Sequence, residues 1–196
     1  VAHSENGFIH PLDVPLAVGN LPMRADGTLA VVEAVQLGRN GWVPNHPHLP
    51  VILYRQVLSQ ISDPATAFEQ LLGVNHWPAQ WRDGVFEYHH YHSTAHEVLG
   101  IAEGNARLVI GGPGGHELDV QAGDVLLLPA GTGHCRLGAS KNFLVVGAYP
   151  ANARFDICRE APTPEQSHAI AKATYPPSDP VFGAQGPFHV LWGVAS

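Results

Sequence analysis

Residues 84–104 read GVFEYHHYHSTAHEVLGIAEG, and this stretch decides both the fold and the chemistry. VFEYHHYH (85–92) is short, apolar and aromatic, and reads as a strand. Residues two apart on a strand share a face, so His90 and His92 point the same way, with Phe86 and Tyr88 beside them. Ser93, Thr94 and Ala95 permit a turn. Glu97 then opens a second strand, on which Glu97, Leu99 and Ile101 share a face. Two imidazoles and one carboxylate thus converge from neighbouring strands.

A second block, GDVLLLPAGTGH (123–134), supplies the complement. DVLLL reads as a buried strand, the Pro129–Gly131 turn reverses the chain, and His134 begins the return strand. Three imidazoles and one carboxylate form a site for a divalent transition metal; imidazole suits Zn, Cu, Fe and Ni, and the carboxylate also admits Mn. Four protein ligands on a six-coordinate ion leave two positions for water or substrate, which marks an open site and not a purely structural one.

Outward from these blocks the pattern repeats. ARLVI, HELDV, HCRL and NFLVVGAY are further short apolar runs, and GGPGG (111–115) is a hairpin connection. With 21 Gly and 17 Pro among 196 residues, turns between short strands dominate the chain. No strand alternates with a long crossover helix, which excludes a doubly wound parallel sheet. The fold class is all-β.

Residues 1–80 form a lead-in broken by prolines, with strands expected in LAVVEAVQL (29–37) and VILYRQVL (51–58). Asp63 and Pro64 are a helix start: the carboxylate accepts from free N–H groups, and proline fits where no N–H is needed. Ala67, Phe68, Leu71 and Leu72 follow at helical spacing, and Gly73 or Asn75 ends the helix. Residues 151–196 return to loops with a short helix in 164–173, and the aromatic tail Phe182–Trp192 packs back on the body. The expected organisation is one domain: an extension (1–80), a core barrel (81–150) and a wrap (151–196).

The net charge of −7 and the lack of a basic run argue against a nucleic-acid or anionic-membrane partner. No run approaches the roughly 20 apolar residues of a spanning helix. The N-terminus has neither the basic flank nor the apolar run of a signal peptide, although a first residue other than Met leaves room for a removed leader. Cys135 and Cys158 make no disulfide framework, so a reducing cytoplasm is the expected location.

The spacings Gly84-x5-His90-x-His92-x4-Glu97-x6-Gly104 and Gly123-x5-Pro129-x-Gly131-x2-His134 resemble the two signature motifs of the cupin superfamily. The resemblance covers about residues 84–138, extended by flanking strands to about 149; Gly138 stands where the family often has Asn. It implies an antiparallel jelly-roll barrel, here with a mixed N-terminal extension containing a short helix. It also implies that His90, His92, Glu97 and His134 hold one metal, with Fe, Zn, Mn and Ni all candidates. Cupins commonly form dimers, so a homodimer is expected. The long lead-in and tail look like a bacterial single-domain cupin group without an established reaction.

Other residues have two readings. Tyr88 either packs in the core or offers a phenol to bound substrate or water. Arg136, two residues beyond His134, either points outward, the favoured reading, or lines the pocket with Leu99 and needs an anionic ligand there. Glu97 is also a candidate proton acceptor. Trp77, Trp81 and Arg82 either line the barrel mouth or close its end. His89, His96 and Cys135 alternate away from the ligands. His46 and His48 read as loop, and His116 as an exposed hairpin residue. The function expected is a metal-dependent enzyme of oxygenase or isomerase type acting on a small polar organic molecule. The alternative is a non-catalytic cupin that binds or senses such a molecule.

Overall fold

The computed structural model describes residue 27 and residues 31–193. The expectations for the start of the lead-in lie outside the described residues. The strands are β1 (Val31–Val35), β2 (Val51–Arg55), β3 (Ala79–Asp83), β4 (Glu97–Glu103), β5 (Asn105–Ile110), β6 (His116–Gln121), β7 (Val125–Leu128), β8 (His134–Ala139) and β9 (Leu144–Ala148). They form a six-stranded sheet, ordered β1-β2-β7-β4-β9-β3, and a three-stranded sheet, ordered β6-β5-β8. Every strand pairing is antiparallel. The protein is therefore all-β, with the two sheets of a jelly roll.

Strand β4 is buried on both faces along most of its length. Leu99 and Ile101 face the barrel interior with Leu53, Leu108, Ile110, Leu126 and Leu128. The alternate residues Val98 and Ala102 face outward into a second core with Phe68 and Leu72 of helix α1 (Pro64–Val74) and with Phe188 and Trp192 of the tail. Gly100 lies between them, and a Cβ there would stand 3.0 Å from the Phe68 ring, so the helix sits close on the sheet.

Helix α1 begins as its cap requires: the Asp63 side chain accepts from Thr66 N–H, and Asn75 ends the helix. Helix α2 (Pro164–Ala171) begins with a capping box between Thr163 and Gln166. A short helix α3 (Phe188–Leu191) carries the aromatic tail back onto the sheet. Strand β2 of the lead-in pairs with β7, and the Trp192 indole donates to Pro50 carbonyl, so lead-in and tail both pack on the barrel.

One strand expected from sequence does not form. Residues 84–92 form no continuous ladder: they make isolated bridges, His90 with His134 and Tyr91 with Cys158, and single backbone bonds from Arg136 N–H to Phe86 and from Gly131 N–H to His92. The bridges fall on opposite sides at successive residues, and a bend at 87–88 interrupts the segment before them. Strict alternation is lost before His90, which matters for Tyr88.

Candidate metal centre

The elements deliver His90, His92, Glu97 and His134 to one place. The reciprocal backbone bonds between His90 and His134, 3.2 and 2.9 Å long, tie the irregular segment to the first residue of β8. Glu97 is the first residue of β4, held opposite Leu128 of β7. His90, His92 and His134 are buried and offer ring nitrogens that all lie within 4.8 Å of one another. Glu97 bridges two of them: Oε1 is 3.2 Å from His92 Nε2, and Oε2 is 3.2 Å from His134 Nε2.

Each imidazole is oriented by a backbone carbonyl at Nδ1. His90 meets Tyr88 oxygen at 3.2 Å, His134 meets Thr132 oxygen at 3.0 Å, and His92 meets Asp156 oxygen. A carbonyl only accepts, so these contacts place the proton on Nδ1 and leave Nε2 with its lone pair. The His134–Oε2 contact is close but not aligned as a hydrogen bond, and Oε2 is a buried oxygen with no hydrogen-bond partner. An orphaned carboxylate oxygen beside imidazole lone pairs is the donor set that a divalent transition metal requires.

The electrostatics are those of a closely coupled cluster. Burial pushes the Glu97 carboxyl up, but with no metal bound His92 and then His134, in their protonated forms, hold it well below its ordinary range. Burial, then the neighbouring His134 and His92, push His90 down to about 3. Burial and the Glu97 carboxylate raise the Tyr149 phenol, whose hydroxyl donates to Glu97 Oε1 at 2.5 Å and accepts from Trp81 Nε1 at 3.0 Å.

The cluster stands in a cavity of about 230 Å³. Trp81, Val85, Phe86, Leu99, Tyr149, Phe155 and Ile157 supply most of its wall, and Asp83 and Gly84 complete it. Leu99 is where the sequence reading put it. Tyr88 and Arg136 are not in this wall. Tyr88 stacks on Phe86 with ring centres 4.7 Å apart and lies under the Arg159 guanidinium. Arg136 reaches outward to Glu87 at 2.6 Å and donates to Val85 carbonyl. With no regular strand before His90, Tyr88 does not keep the ligand face, and an exposed carboxylate draws Arg136 away from the interior. Both residues line a surface groove instead.

Other readings resolve similarly. Trp81 lines the cavity, whereas Trp77 is buried in the outer core and donates to Ser178 carbonyl. Arg82 pairs with Glu69 on α1. His96 is buried and accepts at Nδ1 from Ala130 N–H, and His46 accepts at Nδ1 from the loop N–H groups of His48 and Leu49. Cys135 faces His89, away from the centre. His116 is half-buried, not exposed.

Sequence reasoning missed Tyr149, Phe155 and Asp156. The Asp156 carboxylate accepts from Ser93 N–H at 2.6 Å and from Ser93 Oγ at 2.5 Å, while its own carbonyl receives His92. The tail segment therefore straps the histidine segment in place.

A cupin family model matches residues 83–157. Over 155 residues, 78% of this chain and 92% of the relative, the protein is 35% identical to the uncharacterised protein YjlB of Bacillus subtilis (strain 168). The chain belongs to the cupin superfamily. Within it, the similarity to YjlB places it beside an uncharacterised bacterial group. Among solved structures, a DUF861 family protein from Thermotoga maritima is 22% identical over 45% of this chain and 94% of its own, with a TM-score of 0.29. Procruciferin, an 11S globulin from Brassica napus, is 17% identical with a TM-score of 0.31; the match covers 56% of this chain and only 22% of the globulin. A mutant of Bacillus subtilis oxalate decarboxylase is 18% identical over 68% of this chain and 26% of its own, with a TM-score of 0.26.

Proposed function

We propose that His90, His92, Glu97 and His134 hold one divalent transition metal, and that this single-domain cupin is an enzyme of oxygenase or isomerase type acting on a small polar organic molecule. The observation that carries this reading is the buried Glu97 Oε2, without a hydrogen-bond partner and 3.2 Å from His134 Nε2. A ring nitrogen facing a lone carboxylate oxygen, with two further ring nitrogens within 4.8 Å, leaves room for a shared cation more readily than for a proton. Fe, Zn, Mn and Ni all suit this donor set.

When bound, the metal supplies Lewis acidity toward a carbonyl or enediol oxygen or, as Fe(II), redox chemistry with O2. The chain's own groups then divide the remaining work. Tyr149 holds Glu97 Oε1 through its hydroxyl, and Trp81 holds Tyr149. Glu97 is the carboxylate placed to accept a proton from a ligand in the cavity, and Tyr88, outside the wall, is not placed to do so.

A second reading, a cupin that binds or senses a small molecule without changing it, is favoured by the cavity wall, where Tyr149 and the exposed Asp83 are the ionisable groups besides the four cluster residues. The need of jelly-roll edges to be covered supports a homodimer, and two unpaired buried cysteines support a cytoplasmic location.

Elemental analysis of protein purified without added metal tests the centre. We expect about one transition-metal ion per chain for four such ligands, and its loss in His92→Ala. Unchanged metal in that variant would overturn the assignment.

A further inference from the structure

The charges at the centre and on the cavity wall are unequal, and the difference specifies a ligand. With Nδ1 protonated, each of the three imidazoles is neutral, so a divalent ion with Glu97 leaves one net positive charge in the site. Beyond the cluster, Trp81, Val85, Phe86, Leu99, Phe155 and Ile157 present uncharged surface. Among the described residues no Lys or Arg lines this cavity. Of the cations nearest in sequence, Arg82 is engaged by Glu69, Arg136 by Glu87 and Arg159 lies over the Tyr88 ring, while Arg154, next to Phe155, is exposed and outside the wall. Asp83 is exposed at the wall and adds a carboxylate.

One anionic oxygen would neutralise the centre. A second negative charge on the body of the ligand, away from the ion, would lie against aromatic and aliphatic surface, with no cation to compensate its lost hydration. The volume of about 230 Å³ is below the ~300–1,000 Å³ of cavities for drug-sized ligands, so the body of the occupant is about one ring in size. The wall fits such a body: Tyr149 and Phe155 stack with centres 4.4 Å apart and 9° between planes, and Phe86 stands edge-on to His90.

We infer that this cavity takes a ligand with an anionic oxygen head, a carboxylate, enolate or phenolate, and an apolar body of about one ring, and that it rejects ligands with a second negative charge on that body. The inference rests on the metal reading above and narrows it: polarity is confined to one end of the substrate.

The test begins with protein loaded with Co(II), its cobalt content measured before any ligand is added. Failure to load in wild type would sink the metal reading by itself. Isothermal titration of the loaded protein then compares benzoate with acetate, which differ in the body, and 4-nitrobenzoate with terephthalate, which match in size but differ by one charge. We expect benzoate to bind at least about tenfold more tightly than acetate, and 4-nitrobenzoate at least about tenfold more tightly than terephthalate. Ile157→Arg adds a cation at a half-exposed wall position. It is expected to shift the second ratio toward terephthalate by at least about tenfold with cobalt content unchanged. Loaded protein that binds terephthalate as tightly as 4-nitrobenzoate, or acetate as tightly as benzoate, or that fails to bind benzoate, overturns the inference while leaving the metal site standing.

Discussion

The Tyr149 hydroxyl lies 2.5 Å from Glu97 Oε1 and fixes one oxygen of the carboxylate while the other stays without a hydrogen-bond partner. The division follows from the sheet: Val98 of β4 is opposite Ala148 of β9, so the next pair along the antiparallel ladder is Glu97 and Tyr149. Tyr149→Phe keeps the ring against Phe155 but strips Oε1 of this donor and Trp81 Nε1 of its acceptor. We expect a loss of about 1–3 kcal/mol in stability and a metal affinity weaker by about 10–100-fold. Competition with a chromophoric chelator measures the second effect. Wild-type affinity in this variant would show that Tyr149 does not position the carboxylate.

Asp179 is fully buried and accepts four hydrogen bonds, from the Tyr54 hydroxyl and from the N–H groups of Val181, Phe182 and Phe188. It ties the tail to β2 at a position outside the cavity wall. Asp179→Ala leaves those donors stranded and is expected to cost about 3 kcal/mol or more in urea unfolding. Bound metal per chain should not change. A metal content that fell in proportion would mean that the tail and the centre are coupled through this residue.

Acid sensitivity has a defined window. Burial, and then the nearby His48, push His46 from 6.5 down to about 4. As pH falls, the unfolded chain takes up this proton before the folded one. The corresponding stability is complete above pH 6.5 and is lost progressively between 6.5 and about 4. His46→Asn keeps an acceptor for the loop N–H groups but no longer titrates, so the fall of the urea midpoint across this window should be shallower. Parallel curves for the two proteins would show that His46 does not contribute.

Gly147 allows the Trp81 indole to lie flat on β9, where an added Cβ would overlap the ring. Gly147→Ala should displace Trp81 from the cavity wall, break its bond to Tyr149 and cost about 1–3 kcal/mol. The change is visible as a red shift of tryptophan emission, and an unshifted spectrum with wild-type stability would contradict it.

What could be read from sequence and what could not differ in range. The start of α1 was legible because Asp63 bonds to an N–H group three residues away, and α2 was legible as a short helix within 164–173. His90, His92 and His134 were legible because short turns and two-residue spacing fix a common side. The strand expected at 85–92 was not, because its partners, His134 and Cys158, lie far along the chain. The pocket reading of Tyr88 rests on an alternation that the irregular segment does not keep, whereas Arg136 takes the outward course that is the favoured of its two readings. Tyr149 required the β4–β9 register, and Asp156 required the path of the tail. Neither is written in local spacing.

The Asp156 strap bears on how such domains can diversify. The carbonyl that orients His92 and the carboxylate that holds Ser93 come from chain beyond the last barrel strand. A barrel inherited by recombination without that tail would keep every proposed ligand and still lose the tautomer of one imidazole. Terminal wrap and metal centre must be exchanged as a unit, and lineages that swap only the sheets should be expected to drift toward vacant scaffolds.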